Sequence, residues 1–179
     1  MFKLHLGLKG KDYKSAKDVL ERFISPLPEL ELNLNKKPFF KGSSLQFNLS
    51  HSQDIYLLLL SDECPVGVDL EEIKNRRFCA KLAQRFFTAK EQDFLEKSED
   101  YLKAFYALWT RREALVKCLG IGLWQMREQG GKGHNFLSFS FEFNGSLFMA
   151  TLCCKKPLDM DFARQELGMK LCEFVVDLA

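Results

Sequence analysis

The stretch that most restricts what this chain can become is Val66-Gly67-Val68-Asp69-Leu70-Glu71. Read as a strand, its two-residue period turns Val66, Val68 and Leu70 into a core. Gly67, Asp69 and Glu71 are left on the opposite face, so two carboxylates share a direction. Farther along, Trp109-Thr110-Arg111-Arg112-Glu113-Ala114-Leu115-Val116-Lys117 reads as a helix. Trp109, Glu113 and Lys117 then follow one another at i, i+4, which sets an acid and an ammonium one turn apart. If the fold lays that stripe on the strand, Asp69, Glu71 and Glu113 meet Lys117. Magnesium prefers oxygen ligands and usually takes one or two carboxylates with substrate phosphate and water, so this composition suits a magnesium and phosphate site. The same residues also fit a solvated strand end at Asp69 to Glu72 and an ordinary surface pair of Glu113 with Lys117.

The flanking patterns predict an α+β chain. Strands are expected over Met1 to Leu8, Leu30 to Leu34 (an edge strand), Leu45 to Leu49 and Ile55 to Leu60, the last apolar on both faces and therefore central. Ser50 to Asp54 reads as a turn, and Val66 to Glu71 as the third member of a meander. Helices are expected over Asp12 to Ile24, Arg76 to Phe87, from the capping box Thr88-Ala89-Lys90-Glu91 onward, Tyr101 to Leu119 with Gly120 as C-cap, and Met160 to Leu167 before Gly168. Leu137 to Phe143 alternates, and Asn144-Gly145 predicts a tight hairpin into Ser146 to Cys153. Leu171 to Leu178 reads as a closing strand.

Twenty-six Lys and Arg against 24 Asp and Glu give +2, too balanced for a protein that coats nucleic acid. The first eight residues lack the apolar core of a signal peptide and no run is long enough to span a bilayer, so the chain reads as cytoplasmic with no membrane partner. The six cysteines form no CxxC pair and are expected to be reduced, buried small hydrophobes. Most of the seventeen Phe fall at alternating or helical spacing and read as core. Lys9, Lys11, Lys14 and Lys17 crowd one segment, either a solvated basic face or a phosphate contact.

Ser50-His51-Ser52 has no nucleophile elbow around it. Its hydroxyls and imidazole suit an anion as donors, or serve a turn by bonding their own backbone. Gly120-Ile121-Gly122 and the glycines after it match neither a dinucleotide fingerprint nor a P-loop and read as loop.

Lys37-Pro38, Phe47-Asn48-Leu49-Ser50-His51-Ser52, Val66 to Glu71, Arg85-Phe86-Phe87 with Glu91, and Trp109 to Lys117 occur in this order. The ordered set, covering Lys36 to about Leu123, resembles the 4'-phosphopantetheinyl transferases of the larger, surfactin-synthetase-activator type. The resemblance implies two similar α+β halves related by a pseudo-two-fold axis, with the active site in the cleft between them. In this chain they would span 1–64, shortened, and 65–179. It implies transfer of the phosphopantetheine arm of coenzyme A to a serine of an apo acyl or peptidyl carrier protein, releasing 3',5'-ADP. It also implies Mg²⁺, with Mn²⁺ able to replace it, and a monomer, since one chain supplies both walls.

By the same resemblance Asp69 and Glu113 hold the metal, with Glu71 as third ligand, water holder or base. Glu113, or a water it orients, takes the serine proton, and Lys117 neutralises the diphosphate. His51 and Ser50 contact the phosphates, Lys37 and Pro38 hold the nucleotide end, and Lys117 and Arg112, the latter standing where the family usually has Lys, also contact the cofactor. Tyr13 stands where an arginine would grip the 3'-phosphate, with Lys11 or Lys14 as substitutes. Two alternatives accompany this expectation: a catalytically weak relative that binds coenzyme A or a carrier protein, and a metal-dependent phosphodiesterase using the same acids.

Overall fold

The computed structural model describes residues 1–10, 13–122, 125, 131–176 and 178. Lys11, Asp12 of the expected first helix, Leu123, Gly130 of the glycine-rich loop and Asp177 lie outside the described residues.

The chain is an α+β fold with two main sheets. The first has the order β1-β5-β4, from β1 (Phe2–Leu8), β4 (Gln46–Ser52) and β5 (Ile55–Ser61). Every residue of β5 is buried, as the apolar run Ile55 to Leu60 predicts. The second has the order β6-β8-β7-β9, from β6 (Val66–Glu72), β7 (Asn135–Phe143), β8 (Ser146–Cys154) and β9 (Cys172–Glu173). β7 and β8 are joined by Asn144 and Gly145 at φ 48° and 77°, the left-handed pair that a two-residue hairpin turn demands. The orders β1-β5-β4 and β6-β8-β7 follow one pattern: a first strand beside the returning arm of a later hairpin.

The expected meander does not form. β1 and β4 occupy both edges of β5, so β6 finds no free edge there and pairs with β8 instead, Asp69 opposite Thr151. Ser50 to Ser52 are also strand and not turn. β4 stays paired with β5 through Ser52, and the turn shrinks to Gln53 and Asp54, with Gln53 at φ 53°.

Helix α1 (Ala16–Leu20) is shorter than expected because Asp18 accepts the backbone N–H groups of Lys14 and Ser15, which starts the helix late. β2 (Leu30–Leu32) pairs with β3 (Pro38–Phe40). It stops at Leu32 because Asn33 Oδ1 accepts from the N–H groups of Asn35 and Lys37 and turns the chain. Among the described residues near the C-terminus, Cys172 and Glu173 alone form strand. Phe174, Val176 and Leu178 pack instead on the helical cluster of Phe87, Phe105 and Leu108.

Helices α2 (Cys79–Phe86), α3 (Ala89–Lys97), α4 (Tyr101–Leu119) and α5 (Met160–Leu167) form where the spacing predicts them. Asp100 caps α4 at the start, accepting from Lys103 N–H at 3.0 Å, and Gly120 closes it at φ 66°. One core is shared by the two sheets. Leu4, Leu57 and Leu59 pack with Val68, Leu70, Phe139 and Leu152, and α5 adds Met160 and Ala163. All six cysteines are free thiols, but Cys172 is exposed and Cys64 half-buried, against the expectation that all are interior. Phe78 at 48% exposure also departs from the expected core role of the phenylalanines.

Candidate active site

The site begins at a glycine. Helix α4 lies on the face of β6 that carries Gly67, Asp69 and Glu71. A Cβ added at Gly67 would collide with the Ala114 carbonyl oxygen and stand 2.6 Å from the Cys118 nitrogen. Only glycine lets the two backbones approach this closely. Glu113 and Lys117 flank Ala114 on the helix, so this approach brings them over the acidic strand.

Asp69 is buried, with its side chain only 5% exposed. Its Oδ1 accepts from Lys117 Nζ at 2.6 Å and from Ser50 Oγ at 3.0 Å, and Lys117 Nζ also donates to Ser50 Oγ at 3.0 Å. Among the described residues, Asp69 Oδ2 has no hydrogen-bond partner although it is buried. A buried carboxylate oxygen without a donor is costly unless a cation or polar ligand meets it.

Burial, reinforced by the negative charge of Asp69, pushes both Glu71 and Glu113 up to about 7. Arg76 and Lys117 oppose the rise at Glu71, and Lys117 opposes it at Glu113. Glu113 therefore feels both Asp69 and Glu71 across the helix–strand contact. Among the described residues, no three His, Cys, Asp or Glu side chains converge closely enough to enclose an ion. The donor set still fits a hard divalent cation: all its donors are oxygens, one buried oxygen lacks a partner, and burial together with the charge of Asp69 raises both glutamates.

The remaining expected residues separate. His51, on β4, meets the Tyr13 ring edge-to-face at 6.1 Å, and Lys9 Nζ stands 5.3 Å from that ring. Burial, and after it the ammonium groups of Lys9 and Lys117, hold His51 below the usual imidazole range. Lys14 is exposed beside this group, its backbone N–H held by Asp18. Lys37 Nζ donates to the carbonyl oxygens of Val66 at 3.3 Å and Cys118 at 3.2 Å, and its burial lowers its pKa. Together with Asn33 and Asn35, whose amides donate to Gly120 O, it clamps the C-terminal end of α4 onto β6. Pro38 pairs with Leu32 in the small sheet. Arg112 turns to Glu91 on α3, its Nε donating at 2.9 Å to Oε1 and 3.1 Å to Oε2, and is buried there.

Three relationships are absent from the sequence-based reading: the Glu91 partner of Arg112, the Asn33 and Asn35 clamp, and the docking of Asn48 and Ser52 on β6. The last had a signal. Asn48, Ser50 and Ser52 are polar at alternate positions of β4, on the face opposite Phe47 and Leu49.

Comparison with known proteins gives the family. The 4'-phosphopantetheinyl transferase superfamily model matches residues 65–173, more than half of the chain. The chain is 42% identical over 123 residues to the 4'-phosphopantetheinyl transferase AcpT of Salmonella typhimurium, covering 67% of this chain and 64% of that protein. It is 36% identical over 157 residues to AcpT of Escherichia coli O157:H7, covering 86% and 80%. It is 38% identical over 108 residues to 4'-phosphopantetheinyl transferase psf-1 of Bacillus pumilus, covering 58% and 45%. The matched part thus spans just under two thirds of the Salmonella relative and less than half of the Bacillus one. On the family match and the helix–strand site that lies within it, this chain belongs to the 4'-phosphopantetheinyl transferase superfamily.

Proposed function

We propose that the protein transfers the 4'-phosphopantetheine group of coenzyme A to a serine of an apo acyl or peptidyl carrier protein, releasing 3',5'-ADP. The observation that carries this reading is the state of Asp69. One oxygen is anchored by Ser50 and Lys117, and the other is buried without a partner beside two glutamates raised to about 7.

Asp69, Glu113 and Glu71 would hold a divalent cation, Mg²⁺ or Mn²⁺, which when bound neutralises charge on the coenzyme A diphosphate. The chain's own groups do the rest. Glu113, raised to about 7, is suited to accept the serine proton near neutral pH, since a base works best with a pKa close to the working pH. Glu71 shares that property and stands as the third ligand or the alternative base. Lys117 offsets the charge that develops on the departing phosphate. Lys9 and Lys117, the cations that act on His51, offer the positive charge that the phosphates of coenzyme A require, with His51 as a polar contact and Lys14 a further candidate, and Tyr13 packs on His51 where a guanidinium was expected. Lys37 and Pro38 remain the candidates for the nucleotide end. Lys37 would first have to leave the two carbonyls it now serves.

The repeated strand order supports two related halves, 1–64 and 65–179, with the site at their seam and a monomer as the working unit. Among the described residues, no helix is long and apolar enough to cross a membrane, which accords with a cytoplasmic setting. The test is incubation with coenzyme A, Mg²⁺ and a panel of apo carrier proteins. The carrier should gain the mass of phosphopantetheine on its serine. No mass gain across fatty-acid, polyketide and peptide carriers would refute the reading, and hydrolysis of coenzyme A without a carrier would replace it with phosphodiester cleavage.

A further inference from the structure

Strand β6 has two edges, and among the described residues only one meets a strand ladder, that of β8. Alternate N–H groups on the other edge, those of Val68, Leu70 and Glu72, face β4 of the first sheet, where no backbone pairing exists between the two strands. Buried amides left there without acceptors would each be destabilising. Side chains of β4 supply the acceptors. Val68 N–H donates to Asn48 Oδ1 at 2.8 Å, Leu70 N–H to Ser50 Oγ at 3.2 Å, and Glu72 N–H to Ser52 Oγ at 3.0 Å. All three contacts are buried, and the sequence offset is 20 each time, so the two strands run parallel in step. The two-residue period of β4 side chains matches the two-residue period of outward β6 amides.

Ser50 does more than its neighbours. A hydroxyl has one proton and two lone pairs. Here the proton goes to Asp69 Oδ1, and the lone pairs take Leu70 N–H and Lys117 Nζ. Its capacity is filled by protein groups, with nothing left for a ligand.

We propose that Asn48, Ser50 and Ser52 form a side-chain comb that sets the register between the two sheets. Within it, Ser50 is a positioning residue that acts through Asp69 and Lys117 and does not itself hold coenzyme A. The comb stands on the geometry alone, whereas the role of Ser50 in turnover rests on the transferase reading. With Oδ1 held by Ser50 and Lys117, it is Oδ2 of Asp69 that remains for a ligand.

The test has two arms. In the first, amide hydrogen exchange is followed by NMR in wild type, Asn48→Ala, Ser50→Ala and Ser52→Ala. Wild-type Val68, Leu70 and Glu72 amides should exchange as slowly as those of Gly67, Asp69 and Glu71. Each substitution should speed its own partner amide by about tenfold, the loss of one hydrogen bond, more than the others. Fast wild-type exchange at the three amides, or no selective acceleration, would overturn the comb, and the wild-type pattern decides even if a variant fails to fold. In the second arm, Ser50→Ala should lower kcat by about tenfold while KM for coenzyme A stays within about twofold, and Ser50→Thr should restore kcat. A raised KM at unchanged kcat would make Ser50 a direct ligand and overturn its positioning role, as would unchanged kinetics. If wild type transfers to no carrier, the transferase reading fails while the exchange arm still decides the comb.

Discussion

Gly67 of β6 lies directly beneath the Ala114 carbonyl of α4, and this contact sets how closely the two acid-bearing elements approach. The glycine matters for what it lacks. Asp69 and Glu71 face the helix because they share parity with Gly67, and Glu113 and Lys117 face the strand because they flank Ala114 at one residue and three.

Gly67→Ala should therefore separate the elements. The added methyl meets backbone atoms that cannot rotate away, so we expect a loss of at least about 2 kcal/mol and a fall in transfer activity. Urea unfolding monitored by circular dichroism checks the first. An unchanged midpoint would mean that α4 can lift off β6 freely.

The Asp69–Lys117 pair predicts a compensating double mutant. Lys117→Met removes the ammonium and leaves a buried carboxylate held by Ser50 alone, at a cost of roughly 2–4 kcal/mol. Lys117 is 28% exposed, so the lower part of that range applies. Adding Asp69→Asn removes the uncompensated charge and should return most of the stability but no turnover. Thermal melts of the single and double mutants decide this, and additive losses would show that the pair is not coupled.

Arg112 and Glu91 make a second test, because a side chain expected to contact the cofactor is buried against Glu91 of α3. Arg112→Ala should cost about 3–5 kcal/mol, since it strands Glu91 in the interior. Arg112→Lys should recover part of this, as an ammonium cannot reproduce the two-pronged geometry. Coenzyme A affinity of Arg112→Lys by calorimetry should stay within about twofold. A large loss of affinity with stability intact would return Arg112 to the cofactor.

The raised glutamates give a signed pH dependence. Between about 4.5 and about 7 the folded protein keeps protons on Glu71 and Glu113 that the unfolded chain releases. Stability should thus be greatest below about 4.5 as far as these groups are concerned, fall as pH rises to about 7, and level off above it. Glu113→Gln should flatten the fall and raise stability at pH 8 by roughly 1–2 kcal/mol. Urea midpoints at pH 5 and pH 8 measure it. A wild-type slope unchanged by the substitution would place Glu113 in solvent.

A cation that meets these acids should reverse that penalty. Mg²⁺ at pH 8 should raise the melting temperature of wild type, chelation should remove the rise, and Asp69→Asn should abolish it. Asp69→Ala and Glu113→Ala should each lose transfer activity while remaining folded. Retained turnover in either would refute its assignment to the metal site.

Much of this protein is legible in the sequence where the signal is local. The 3.6-residue stripe and caps of α4, the Thr88–Glu91 box, the Asn144-Gly145 hairpin and the parity of Gly67, Asp69 and Glu71 depend only on residues a few positions apart. The choice of partners was left to the tertiary structure. β6 left β5 because both edges of β5 were taken, and Ser50 became strand because β5 stayed paired beside it. Arg112 found Glu91 from 21 residues away, and Lys37 reached Cys118 across 81. A side chain's periodicity is set by its own backbone, but its hydrogen-bond partner is set by which edges and buried charges remain unmet when the elements pack. Asp69 shows both halves: its face was readable from its neighbours, and its anchoring by Ser50 and Lys117 came only with the fold.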